Sequence, residues 1–237
     1  MASKDQPVKY GELIQTGSPD SILANLYRKI LYGININFGR FDSLISRYMF
    51  DKNIPINNKK LSSTRRNLAN ELMASGQTWK VFVKGLAFLS VDYCDFEVEM
   101  THKSGRITEH FRRFYTDNRK ITSNAIPGVV TVSPEMVLSS IFKDARDQLG
   151  IDDKIFSEMT VDYIRRSKML GDASALSNTK GNLKKDFLKP RLSWMFFVKS
   201  LVFLNVKRFK ITARMHTTGG SNSDHNLEVI LDMEDFA

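Results

Sequence analysis

The sequence predicts an α+β chain built as a tandem duplication, each copy comprising about four helices followed by a β-hairpin. Three observations predict it. Residues 18–117 align without gaps on residues 133–232 at an offset of 115, and about 23 of the 100 paired positions are identical. The apolar segment Thr78 to Leu89, TWKVFVKGLAFL, returns as Ser193 to Leu204, SWMFFVKSLVFL. After each of these segments the hydrophobic period changes from helical to alternating. The expected organisation is an arm at 1–17, a repeat domain at 18–117, a linker at 118–132, a second repeat domain at 133–232 and an acidic tail at 233–237.

The arm is short and polar, with Gly11 and Gly17, and is expected to be mobile or to dock. Ser18-Pro19-Asp20 then opens the first helix, as Ser133-Pro134-Glu135 opens its twin. A capping hydroxyl, a proline whose missing N–H costs nothing at the first position, and an acid near the positive helix end all favour a start there. Ile22, Leu23, Leu26 and Ile30 recur at helical spacing, matched by Val137, Leu138, Ile141 and Ala145.

A second helix is expected from about Phe38 to Phe50, its twin holding Phe156, Met159 and Tyr163. Residues 51–60, with Pro55 and several asparagines, read as a loop. A third helix is expected after Ser62-Ser63-Thr64, and after Ser177-Asn178-Thr179 in the second copy, ending near Gly76 and Pro190. The repeated apolar segment is the fourth helix. Trp79, Phe82, Val83, Leu86 and Leu89 share one face while Val81, Ala87 and Phe88 cover others, so it belongs inside the domain.

The hairpins follow. Cys94, Phe96, Val98 and Met100 alternate with Asp95, Glu97 and Glu99, Lys103-Ser104-Gly105 turns the chain, and Ile107 to Tyr115 returns. In the second copy Phe209, Ile211, Ala213 and Met215 are the buried set, and Leu227 to Leu231 the return.

The net charge of +9 favours polyanionic partners, and the single cysteine, Cys94, excludes an intrachain disulfide and fits a reducing compartment. No apolar run is long enough to span a bilayer and the start lacks the apolar core of a signal peptide, so no membrane partner and no secretion are expected. No Gly-rich nucleotide loop, HExxH or placed nucleophile occurs. His102, His110, His216 and His225 have no zinc spacing, with His110 and His225 corresponding between copies. No enzyme activity, metal or cofactor is expected.

Two surfaces remain. Lys59, Lys60, Arg65 and Arg66 form the densest basic cluster, with Lys180, Lys184, Lys185, Lys189 and Arg191 as a looser twin. Arg65, Arg66 and Lys180 are placed just after the expected helix caps, where cations oppose the dipole unless an anion sits there, so phosphates of a nucleic acid, DNA before RNA, are the expected partner. On the hairpins the signs are reversed between copies: Asp95, Glu97 and Glu99 on one first strand, Arg208, Lys210 and Arg214 on the other. The alternative is therefore a structural subunit, a possible homo-oligomer, whose halves make head-to-tail contacts through these charges.

The phrases SSTRRNLANEL, TWKVFVKGLAFL and THKSGRITEH resemble a family of small uncharacterised proteins of large tailed bacteriophages, over roughly residues 18–117. The second copy departs from it, with Gly181 for Arg66 and Met195 for Lys80. The resemblance implies a phage-encoded protein of the host cytoplasm or the virion, acting in virion assembly or in management of nucleic acid.

Overall fold

The computed structural model describes residues 19–33, 36, 38–51, 58–117, 128–166, 176–217 and 225–232. In chain order these form α1 (Pro19–Gly33), α2 (Phe38–Asp51), α3 (Asn58–Leu72), α4 (Trp79–Phe88), β1 (Val91–His102) and β2 (Ile107–Tyr115). A short 3-10 turn at Pro134–Met136 then leads into α5 (Val137–Gln148), α6 (Asp153–Arg166), α7 (Leu176–Phe187), α8 (Trp194–Phe203), β3 (Val206–Thr217) and β4 (His225–Asp232). The expected α+β class is observed: helices packed on an antiparallel sheet. Among the described residues no helix is long and apolar enough to cross a membrane.

The apolar segments form α4 and α8, each opened by a side-chain cap. The Thr78 hydroxyl accepts from the Val81 N–H and the Ser193 hydroxyl from the Phe196 N–H. Both helices are buried on several sides, as an all-round apolar helix must be. The strands alternate as their sequences require, with Cys94, Phe96, Val98 and Met100 of β1 and Phe209, Ile211, Ala213 and Met215 of β3 turned into the core.

The two hairpins join into one sheet of order β2-β1-β3-β4, and β1 pairs with β3 at its centre. In that central ladder Glu97 lies opposite Thr212, the residue 115 positions further on. On either side Asp95 faces Arg214 and Glu99 faces Lys210, the same two alignment positions with strands exchanged. The helices cross over as well: α1 packs on β4 and α5 packs on β2. Buried side chains from both halves form one contiguous apolar cluster.

Several local expectations change. The third helices start earlier than the serine runs suggested, at Asn58 and Leu176, because no glycine or proline stands between Asn58 and Leu72 and Ser177-Asn178-Thr179 follows a leucine that joins the first turn. Ser133 makes no side-chain cap bond, and the chain passes through the 3-10 turn before α5 begins. His110 and His225 are not equivalent in the sheet. His110 faces Val98, whereas His225 faces Met215, whose counterpart Met100 faces Thr108. The second hairpin connection is two residues longer, which displaces the ungapped alignment along β4.

Candidate nucleic-acid interface

The basic residues divide between α3, which packs on α2 and α4, and α7, which packs on α6 and α8, with Lys189 and Arg191 in the connection between α7 and α8. Lys59 and Lys60 fall in the first turn of α3, and their side chains lie outside the described residues. Arg65 and Arg66 sit well inside the helix, and Lys180 is the fifth residue of α7, so the expected conflict with the helix dipole does not arise at these three. It moves to Lys59 and Lys60.

Part of the cluster is neutralised within the fold. Arg65 forms an ion pair with Asp42 of α2. Lys189 pairs with Asp186 at 2.6 Å, Arg191 with Glu135 at 3.2 Å, and Lys184 lies over the Phe156 ring at 5.9 Å. Arg66 and Lys185 are exposed, Lys180 is half-buried, and none of the three has an ion pair among the described residues. Arg191 also borders a cleft of about 490 Å³, together with Thr78, Trp79, Lys80, Glu135 and Ser193, so that the capped ends of α4 and α8 open beside two cations.

The hairpin charges meet within one chain. Arg113 donates to both oxygens of the buried Asp95 carboxylate, at 2.6 and 2.7 Å, the two-bond geometry that suits a guanidinium. Arg214 of β3 reaches Glu97 of β1 at 3.1 Å, and Lys210 stands opposite Glu99. Arg208 is exposed, opposite Asp232 on β4. The acidic strand of one half thus lies against the basic strand of the other as sheet neighbours.

Arg112 is buried, 6% exposed, on the side of β2 that α5 covers. Thr108, His110, Arg112 and Phe114 share the inward parity of β2, and His110 and Arg112 meet α5. Arg112 donates Nε to the Ser140 hydroxyl at 2.6 Å and Nη2 to the Asp144 carboxylate at 3.0 Å. The same carboxylate oxygen is 2.9 Å from His110 Nδ1. His110 Nε2 is 3.1 Å from the Thr108 hydroxyl, which is 3.1 Å from His102 Nε2, and His102 Nδ1 is 3.1 Å from the Leu204 carbonyl. With Asp144 ionised, His110 donates from Nδ1 and accepts from Thr108, whose oxygen accepts from His102 Nε2. The contact at the Leu204 carbonyl is then the one an added proton completes.

Burial pushes the pKa of both imidazoles below the ordinary range, opposed at His102 by the Leu204 carbonyl and at His110 by Asp144. Burial alone would raise Asp144, but hydrogen bonds from His110 and Arg112 hold it below the usual carboxylate value. The cluster ties β2 to α5 and to the end of α8. Sequence reasoning missed it, although the parity shared with Phe114 was a usable signal. Among the described residues no group of three or more His, Cys, Asp or Glu side chains is arranged to hold a metal ion.

No known protein family, curated protein or solved structure matches the chain.

Proposed function

We propose that this chain is a non-enzymatic nucleic-acid-binding protein that grips phosphates, of DNA before RNA, through cations on α3 and α7. One observation carries the reading: Arg66, Lys180 and Lys185 on those two helices have no ion pair among the described residues, while Asp95 and Glu97 of the sheet are matched internally. The net charge of +9 adds long-range attraction to a polyanion. Lys59 and Lys60, at the start of α3, extend the basic run in sequence.

The chain is also proposed to be a tandem duplication with an internal two-fold axis through the Glu97 and Thr212 pair. The central register and the exchanged contacts of α1 with β4 and α5 with β2 support it. Such symmetry suits two half-sites on one duplex. The resemblance to phage proteins favours work in an infected host's cytoplasm or in the virion. A subunit assembling through its hairpin charges would have to draw Asp95, Glu97 and Arg214 away from partners they already have.

The test is a titration of labelled duplex DNA by fluorescence anisotropy between about 50 and 200 mM salt, where several phosphate contacts lower affinity by orders of magnitude. Absence of binding at the lower salt concentration refutes the reading.

A further inference from the structure

The α7 cations have an aromatic neighbour that the sequence does not place beside them. Within the run from Lys180 to Arg191 the only aromatic is Phe187, and it is fully buried. Packing of α8 on α7 supplies another, Phe196, the third residue of α8. Its ring is half-buried, with the Lys199 ammonium 5.5 Å from the ring centroid and the Lys189 ammonium 5.9 Å from it. Leu188 and Met195, the residues immediately before Lys189 and Phe196, are 44% and 42% exposed, so the basic corner between the two helices also presents apolar surface.

The matched residues of the first half do not form this arrangement. The residues 115 positions earlier are Val81 for Phe196 and Ala74 for Lys189. Lys84 stands where Lys199 does, but it is held by Glu71 at 2.5 Å. The matched acid of the second half is Asp186, and it turns to Lys189 at 2.6 Å instead. Lys199 is therefore exposed, with no ion pair among the described residues. Helix packing by itself does not call for the ring, since Val81 fills the same position of α4 as a half-buried residue.

A half-exposed ring edged by cations suits an unpaired nucleobase. Any base can stack on the aromatic face, and the phosphates on either side of its sugar then fall to the ammoniums. Both cation–ring distances are near the outer limit of about 6 Å for that attraction, so the ammoniums can turn from the ring to a phosphate. A blunt duplex offers no such base, because its bases are stacked on one another. Resting on the reading of α7 as a phosphate grip, we propose that Phe196, Lys189 and Lys199 bind an unpaired nucleotide of single-stranded DNA, the base on the ring and the flanking phosphates on the two lysines. The two halves then differ in role, with this site in the second.

Fluorescence anisotropy with labelled oligothymidylate and with a blunt duplex, each across a salt series, tests this. The native chain should bind oligothymidylate, and Phe196→Leu, which keeps an apolar side chain against the core, should weaken that binding at least about fivefold. Its salt slope and its duplex affinity should match those of the native chain, since a stacked ring releases no counterions. Lys199→Ala should instead make the oligothymidylate slope shallower by about 0.7. In Phe196→Trp binding should persist and oligothymidylate should quench the new indole; should the leucine variant fail to fold, this quenching decides. Unchanged oligothymidylate binding by Phe196→Leu, an equal loss on duplex, or an unquenched Phe196→Trp overturns the proposal. A native chain that binds duplex but not oligothymidylate overturns it and leaves the phosphate grip of α3 and α7 standing, whereas one that binds neither overturns both.

Discussion

Trp79 and Trp194 stack on each other, ring centroids 6.4 Å apart and planes inclined by 15°. They are 115 positions apart in the sequence, so α4 and α8 meet at their first residues. Trp79 also donates its indole N–H to the Pro134 carbonyl at 2.6 Å and meets Phe96 and Phe114 edge-on. Replacing either tryptophan by alanine should cost about 3–5 kcal/mol through the cavity left behind. Urea unfolding followed by circular dichroism and by fluorescence should remain a single transition, because the buried cluster draws on both halves. Two separated transitions would contradict the shared core.

Gly85 admits the ring of Tyr27. A Cβ at Gly85 would lie 2.5 Å from one ring carbon of Tyr27, which is itself fully buried. Gly85→Ala should therefore cost roughly 1–3 kcal/mol by overpacking, measurable as a lower urea midpoint. The corresponding position of the second half is Ser200, which is buried and bonds its hydroxyl to the Phe197 carbonyl at 2.6 Å.

Ser90 and Asn205, matched residues following α4 and α8, hold left-handed backbones with φ of 60° and 55°. Ser90→Gly should raise stability by roughly 1 kcal/mol, since glycine bears this conformation without a Cβ penalty. Asn205→Gly should gain less, because asparagine tolerates the conformation and Asn205 accepts from Arg166 at 3.1 Å. Thermal denaturation of the two variants side by side checks both the gain and its order.

The histidine cluster predicts an acid limb. Burial lowers the pKa of His102 and His110 from the ordinary 6.5, with Arg106 adding to the effect at His102 and Arg112 at His110, so both are neutral in the fold at neutral pH. The unfolded chain then binds protons more readily. The contribution is complete above 6.5 and is lost as pH falls through the lower folded values. Asp144, held low by His110 and Arg112, adds a second loss at more acid pH. Urea midpoints should fall between about pH 7 and pH 5, and His110→Gln should flatten that fall. Stability that rises on acidification through this window would contradict the assignment.

The helices, both hairpins and the buried set of each first strand were legible because each depends on local periodicity and turn chemistry. Trp79, Phe96 and Met215, for example, are core by spacing alone. The joining of β1 to β3 was not legible, since a strand's edges do not name their partner in sequence. The same limit hid the contact of Asp144 with His110 and Arg112, which requires α5 to cross onto the other half's return strand. It also left open whether Asp95, Glu97 and Arg214 would pair within the chain or between chains. The α3 and α7 cations were legible as a cluster, but the absorption of Arg65 by Asp42 and of Arg191 by Glu135 depends on helix packing.

The proposed role of α3 and α7 is to grip phosphates. The most direct measurement is the salt dependence of duplex DNA binding by the native chain and by a variant with Arg66, Lys180 and Lys185 changed to alanine. The plot of log affinity against log salt should be linear for the native chain, and each phosphate contact removed should make its slope shallower by about 0.9. An identical slope and affinity in the variant would contradict that role.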